Sequence, residues 1–332
     1  MAGIFVAGAG KARPVVVAHR GASGERPEHT LEAYRLAVEQ GADFVEPDLV
    51  STRDGALVCR HENEISGTTD VAGRPEFASR RATKTIDGAA VTGWFTEDFT
   101  LAELETLRAR ERLPELRGTA FDGRFEVPTF EEVLAFLDSV NATRRERPVG
   151  VYPETKHPSY FESAGLPLEK PLLAALRAHG RDRADAPVFI QYFEVANLRR
   201  LAGLTRVPLV QLIDAQGRPW DFTAARSGRT YADMLRPEGL KDIATYARAV
   251  GLHKSLASAR LVRDAHAAGL LVHVWTLRAE NTFLPPELRR GTDPAAPGDM
   301  AGEARLFLEA GVDGYFTDYP AIGVAARDAF GR

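Results

Sequence analysis

Thiol chemistry is almost absent from this chain: Cys59 is its one cysteine. A single thiol closes no intrachain disulfide, and its place in an apolar, strand-like run fits buried filler better than a nucleophile. Long apolar runs are missing too, since no stretch reaches the roughly 18 uninterrupted apolar residues of a membrane span. The opening, Met1 to Gly10, is apolar and glycine-rich but lacks a basic n-region and is short for a full signal peptide. The expected location is therefore cytoplasmic, or periplasmic or secreted if a leader has been trimmed. Nor is there an excess of positive charge. Lys and Arg number 42 against 46 Asp and Glu, for a formal net charge of -4. No global field then attracts nucleic acid or anionic lipid, and no local basic patch takes its place. Nucleic-acid binding and stable membrane insertion are not expected, and the oligomeric state leaves no signal. Internal repeats and low-complexity segments are also absent.

What the chain has is core material: 44% hydrophobic residues over 332 positions. That length allows two domains or one α/β barrel with an insertion, because such barrels run from about 200 to over 400 residues. Short apolar strands alternate with helical stretches, the pattern of a parallel sheet covered by helices. Eight strands are predicted: Val15 to Ala18, Phe44 to Val50, Gly150 to Lys156, Val188 to Phe193, Leu209 to Ile213, about Ile243 to Val250, Leu271 to Thr276 and Val312 to Thr317. The pattern predicts a (β/α)₈ TIM barrel, an α/β fold. Thr30 reads as the N-cap of a helix with Leu31, Tyr34 and Val38 on its apolar face and Gly41 after its end. Thr100 with Glu103, and Thr129 with Glu132, read as capping boxes. The alternation breaks over 62–127, too long for a plain loop, so a small insertion subdomain is expected there within a single domain spanning 1–332. An insertion after the second strand would overhang the C-terminal ends of the strands, where barrel active sites are built. The Gly- and Pro-rich stretch Pro285 to Gly302 reads as a surface loop.

Polar residues fall at telling places in this frame. His19 and Arg20 stand where the first strand ends. Glu46 and Asp48 are two apart in the second strand, so both carboxylates point to one face. Glu154 and Lys156 repeat that spacing in the third with opposite charges. Ionised groups at a barrel mouth are costly unless they hold an ion or a substrate. Three carboxylates from neighbouring strands suit a hard divalent cation, Ca²⁺ or Mg²⁺. Zinc fits less well, because no close His-x-His or His/Cys cluster exists. The alternative, that these acids only pair with Arg20 and Lys156, stays open at this stage. His61 follows a second extended run, 56–60, after the hairpin-type turn Asp54-Gly55, and folding back returns it toward Glu46. Two histidines beside an acid cluster can serve general acid and base work near neutral pH.

These residues carry a resemblance. His19-Arg20-Gly21-Ala22-Ser23-Gly24, Pro27-Glu28-His29-Thr30, Glu46-Pro47-Asp48-Leu49 and His61 are similar to the opening signature of the glycerophosphodiester phosphodiesterase family, especially its bacterial periplasmic branch. Tyr152-Pro153-Glu154-Thr155-Lys156, Gln191-Tyr192-Phe193, Val274-Trp275-Thr276 and Asp313-Gly314-Tyr315-Phe316-Thr317-Asp318 resemble its later motifs, in order to Pro320. The resemblance implies Glu46, Asp48 and Glu154 as metal ligands and His19 and His61 as the catalytic pair. It implies Arg20 and Lys156 on the phosphate, and Phe193 with Trp275 lining the alcohol or glycerol pocket. Two departures stand out: Glu62 where family members often have aspartate, and Tyr192 where they often have serine. Glu28 and His29 are expected to brace the first loop, His273 to be a satisfied core histidine, and Asp318 to orient a neighbour. His157, His179, His253 and His266 are expected to be structural or surface residues.

The implied reaction is metal-dependent hydrolysis of a small-molecule glycerophosphodiester to glycerol 3-phosphate and an alcohol. By the same comparison, the neighbouring glycerol hydroxyl attacks first, giving a cyclic phosphate that water opens. Two other readings compete: a phospholipase D-like activity on lysophospholipids or sphingolipids, and a noncatalytic surface-binding module that keeps the barrel.

Overall fold

The computed structural model describes residues 13–144 and 146–331, so the Met1 to Gly10 stretch lies outside the described residues. One parallel sheet carries the architecture. Its first strand, Val15–Ala18, pairs in parallel with both the second strand and the eighth, Gly314–Thr317. The remaining strands follow in order: the fourth, Ile190–Tyr192, the fifth, Leu209–Ile213, the sixth, Ala249–His253, and the seventh, Leu271–Leu277. The seventh contains a cis Trp275-Thr276 peptide bond and a register shift against the eighth between Val274 and Leu277.

The second and third strands are each interrupted by a proline. They run as Phe44–Val45 then Asp48–Ser51, and as Gly150–Val151 then Glu154–Thr155. Pro47 and Pro153 lack the amide a ladder needs, yet their carbonyls still accept, from Glu154 N at 3.0 Å and Gln191 N at 3.0 Å. The register therefore passes through both breaks unchanged, Phe44 opposite Gly150 and Asp48 opposite Glu154. With these halves joined the sheet closes into a (β/α)₈ barrel, as expected from the sequence. An antiparallel strand, Leu57–Cys59, folds back on Asp48–Ser51.

Aromatic side chains fill the barrel: Phe44, Tyr152, Phe189 and Phe316 pack with Val17, Val210 and Ala249. Gly150 belongs to this packing, because a Cβ there would sit 2.2 Å from the Phe44 ring and 2.6 Å from the Pro187 carbonyl. A larger apolar layer, including Val16, Val45, Val133 and Leu240, joins the outer faces of the strands to the helices. The helix Leu31–Glu39 starts at Thr30, whose Oγ1 accepts from Ala33 N at 3.1 Å, and Gly41 follows its end at φ +87°. Both predicted capping boxes form, at Thr100 and Thr129, each worth about 1 kcal/mol to its helix.

The sixth strand differs from its prediction. Ile243 ends the helix Pro237–Ile243, and pairing starts only at Ala249. Ile243 is apolar because it lies buried on a helix face, so the apolar run spans two elements. The shift carries the strand on to His253. The segment 62–127 holds more structure than its composition suggested, including a hairpin of Ala82–Ile86 and Ala89–Gly93 and the short helices Leu101–Leu104 and Pro114–Arg117. Asp87 and Gly88 form the hairpin tip with φ of 47° and 80°, as a mirror-image turn requires. Exposed Thr83, Thr85, Thr92, Ala89 and Ala90 along this hairpin hide it from hydrophobic patterning. No helix among the described residues is long and apolar enough to cross a membrane.

Candidate active site

The strand ends build one cavity of about 240 Å³. His19, Arg20, Glu46, His61, Glu154 and Lys156 line its polar side, and Phe193, Leu212, Trp275 and Phe283 contribute an apolar side. Of the nine residues given a metal, catalytic or substrate role from the sequence, eight line the cavity and Asp48 does not. Glu46, Asp48 and Glu154 each offer an oxygen within 4.8 Å of the other two, and all three are buried. Strand register explains this: Asp48 faces Glu154 directly across the second and third strands.

The turn after the first strand is conformationally demanding. Arg20 holds φ +60° and Gly21 φ +89°. A Cβ on Gly21 would lie 2.7 Å from the Ala33 backbone, so only glycine fits. This turn aims the Arg20 backbone amide at Glu46 Oε2, 3.0 Å away. Gln191, on the fourth strand, donates to Glu46 Oε1 at 2.6 Å. Its sequence signal is an amide in an otherwise apolar strand.

Pairing with cations accounts for part of the acid cluster. Lys156 Nζ donates to Glu154 at 2.8 Å, and Arg20 Nε lies 3.6 Å from Asp48 Oδ2. Arg20 hydrogen-bonds Glu28 at 3.0 Å instead. His29 bridges Tyr34 Oη at 2.8 Å and Asp48 Oδ2 at 3.0 Å, so Glu28 and His29 brace the first loop as expected. Asp48 Oδ1 is buried with no hydrogen-bond partner. Burial, then the charges of Asp48 and Glu154, push Glu46 well above the ordinary carboxylate range. Burial likewise lifts Glu154 to about 7 against the opposing charge of Lys156. An orphaned acceptor among three crowded carboxylates fits a hard divalent cation, which prefers oxygen ligands. No histidine or cysteine belongs to the cluster.

Each histidine has a carboxylate behind it. His19 Nδ1 meets Asp318 Oδ1 at 2.6 Å, and His61 Nδ1 is hydrogen-bonded to Glu62. A carboxylate only accepts, so both Nδ1 atoms carry the proton and both Nε2 atoms are left for chemistry. His19 Nε2 lies 4.0 Å from Glu46 Oε2. Burial, reinforced by Arg20, lowers His19 to about 4, and burial with Arg20 and Lys156 lowers His61 to about 3. Both rings are neutral near pH 7.

Of the other histidines, His273 is the satisfied core residue expected, bonded to Tyr152 Oη at 2.8 Å. His157, His179 and His266 pair with Asp87, Asp138 and Asp313. His253 departs from its reading as structural or surface, because the displaced sixth strand brings it to the cavity, edge-on to Trp275 at 5.0 Å. Arg278 lines the cavity as well and donates to Asp318 at 2.9 Å. Side chains of the 62–127 segment reach this face. Arg112 reaches Glu28 and Glu62, Arg117 reaches Asp318, and Asp87 reaches His157.

A closed barrel with acids, bases and cations converging at the carboxyl ends of its strands has the layout of a barrel enzyme. The chain belongs to the glycerophosphoryl diester phosphodiesterase family, which matches residues 19–322. It is 36% identical to a glycerophosphodiester phosphodiesterase of Arabidopsis thaliana over 331 residues, covering 92% of this chain and 84% of that one. Against the glycerophosphodiester phosphodiesterase of Haemophilus influenzae identity is 29%, covering 95% and 90%. Among solved structures, one from Silicibacter pomeroyi superposes with a TM-score of 0.69 at 22% identity, covering 97% and 96%. A phosphodiesterase from Oleispira antarctica, in complex with the product sn-glycerol-3-phosphate, gives 0.61 at 21%, covering 95% and 97%. At that identity the structures speak for the fold.

Proposed function

We propose that this enzyme hydrolyses glycerophosphodiesters, such as glycerophosphocholine or glycerophosphoethanolamine, to glycerol 3-phosphate and an alcohol, with His19 and His61 as the acid-base pair. The observation that carries this reading is one cavity lined by both histidines, Arg20, Lys156, Glu46 and Glu154, with Asp48 completing the acid cluster. The product in the Oleispira neighbour supports the substrate class. Glu46, Asp48 and Glu154 would hold one divalent cation, Ca²⁺ or Mg²⁺, which when bound supplies positive charge against the phosphoryl oxygens.

Arg20 and Lys156 grip the phosphate from the polar wall and stabilise the charge gathering on its oxygens. Phe193 and Trp275, whose rings meet edge to face at 5.8 Å, receive the glycerol or alcohol end. One neutral histidine removes the proton of the attacking hydroxyl through Nε2. The substrate's own neighbouring glycerol hydroxyl is the attacker, giving a cyclic phosphate that water then opens. The second histidine delivers a proton to the departing alkoxide, and a phosphodiester anion between the rings favours the protonated form it needs. The segment 62–127 acts as a subdomain bounding the mouth.

The lysophospholipid alternative calls for an exposed apolar rim. The large exposed apolar residues Leu204, Leu306 and Phe330 do not line the cavity, which favours small glycerophosphodiesters. Turnover of glycerophosphocholine against lysophosphatidylcholine, with Ca²⁺ or Mg²⁺ added, tests both. Release of glycerol 3-phosphate from the former is expected, and hydrolysis of the lysolipid alone would sink the reading. No turnover of either would return the chain to a binding role.

A further inference from the structure

Two arginines five positions apart in the overhanging segment end on the carboxylates behind the two histidines. Arg112 donates Nη1 to Glu62 Oε1 at 3.1 Å and Nη2 to Glu62 Oε2 at 2.7 Å, while Glu62 holds His61 Nδ1. The same guanidinium grips Glu28 at 2.6 and 2.7 Å. Arg117 donates Nη2 to Asp318 Oδ2 at 2.5 Å, while Asp318 Oδ1 holds His19 Nδ1. It is fixed in turn by Glu280 at 2.6 Å and the Ser23 carbonyl at 2.9 Å. Its side chain is only 7% exposed.

A carboxylate alone fixes a histidine loosely, because it rotates and offers several lone pairs. A planar guanidinium on its far oxygen removes that freedom, and lysine cannot reproduce the fork. We infer that Arg112 and Arg117 are positioning residues for the reaction, each clamping the carboxylate that orients one histidine, so that one short stretch of the 62–127 segment, with Arg278 sharing Asp318 Oδ2 at 2.9 Å, ties the acid-base pair into one frame. The spacer between them is short and shaped: Leu113 N bonds Glu111 at 2.9 Å, and Pro114 opens the one-turn helix that ends at Arg117. The inference rests on the acid-base role of His19 and His61 proposed above.

The test is steady-state kinetics on glycerophosphocholine, with melting temperature followed in parallel. Arg112→Lys and Arg117→Lys keep the buried charge and guard against loss of fold in Arg112→Ala and Arg117→Ala. Each alanine variant is expected to lose about 10- to 100-fold in kcat, the usual cost of removing a partner behind a functional group, with KM within about 2-fold. Each lysine variant should recover part of that loss. Arg110→Ala, which breaks an exposed pair with Asp122 in the same stretch, should keep wild-type kcat. Arg117→Ala added to Asp318→Asn should cost nothing further, since both act on His19. Wild-type kcat in the alanine and lysine variants, or full additivity with Asp318→Asn, would overturn the inference. His19→Ala and His61→Ala in the same assay separate the two ideas: if these also keep wild-type kcat, the acid-base assignment itself has failed.

Discussion

His19 and His61 line one cavity with Nδ1 engaged, so on the proposed acid-base assignment losing either ring should remove a proton-transfer partner without emptying the core. His19→Ala and His61→Ala are each expected to lower kcat on glycerophosphocholine by about 10² to 10⁴. A nitrophenyl phosphodiester, whose leaving group needs no proton, should partly rescue the variant lacking the acid, and this assigns the roles. Asp48 gives a second residue-level expectation. Its Oδ1 has no protein partner and its Oδ2 faces His29, so Asp48→Asn should weaken divalent-cation binding in calorimetry at least tenfold. Exhaustive chelation of the wild type should abolish turnover, whereas full activity after chelation would refute the cation site. The spacing of Glu46 and Asp48 made this cluster legible in the sequence, because alternation along a strand is a local rule. Arg112 and Arg117 were not legible. They reach partners 84 and 201 positions away, and no periodicity records such a reach.

The strands that were easiest to place, such as the fifth, are those whose apolar run coincides with one element. The second and third each read as one run because their proline carbonyls keep the register across the gap left by the missing amides. The sixth was misplaced because a helix end and a strand share one apolar run. Glu194, at the junction of the fourth strand and the helix Val195–Ala202, shows a cost hidden at such a boundary. It is buried, bonded to Ser159, and its Oε1 has no partner. Burial, with the charges of Asp221 and Asp87, raises its pKa from 4.5 to about 7 despite the Ser159 bond. Between those values the folded chain holds a proton that the unfolded chain has released, so stability falls as pH rises from about 4.5 to about 7. Glu194→Gln should flatten that part of the profile of melting temperature against pH and raise the melting temperature at pH 8. An unchanged slope would show that the carboxyl is already ionised in the fold.

The barrel closes where its first and eighth strands meet. The first strand lies between the second and the eighth, Arg13 pairs with Asp328, and Arg327 pairs with Asp43. His19 receives its orienting carboxylate from Asp318, 299 positions later. During synthesis the first histidine therefore emerges 299 positions before its partner. Seven strands with an open seam expose two unpaired edges to other nascent chains. A chain released after residue 313 is expected to be inactive and aggregation-prone. A circular permutant that links the two ends and opens at the exposed Gly291-Thr292 bond keeps both strands of the seam in one polypeptide and should retain turnover. In that permutant Asp318 is made before His19, so the order of synthesis is reversed at that pair, and activity should appear when the seventh strand, not the eighth, joins the sheet.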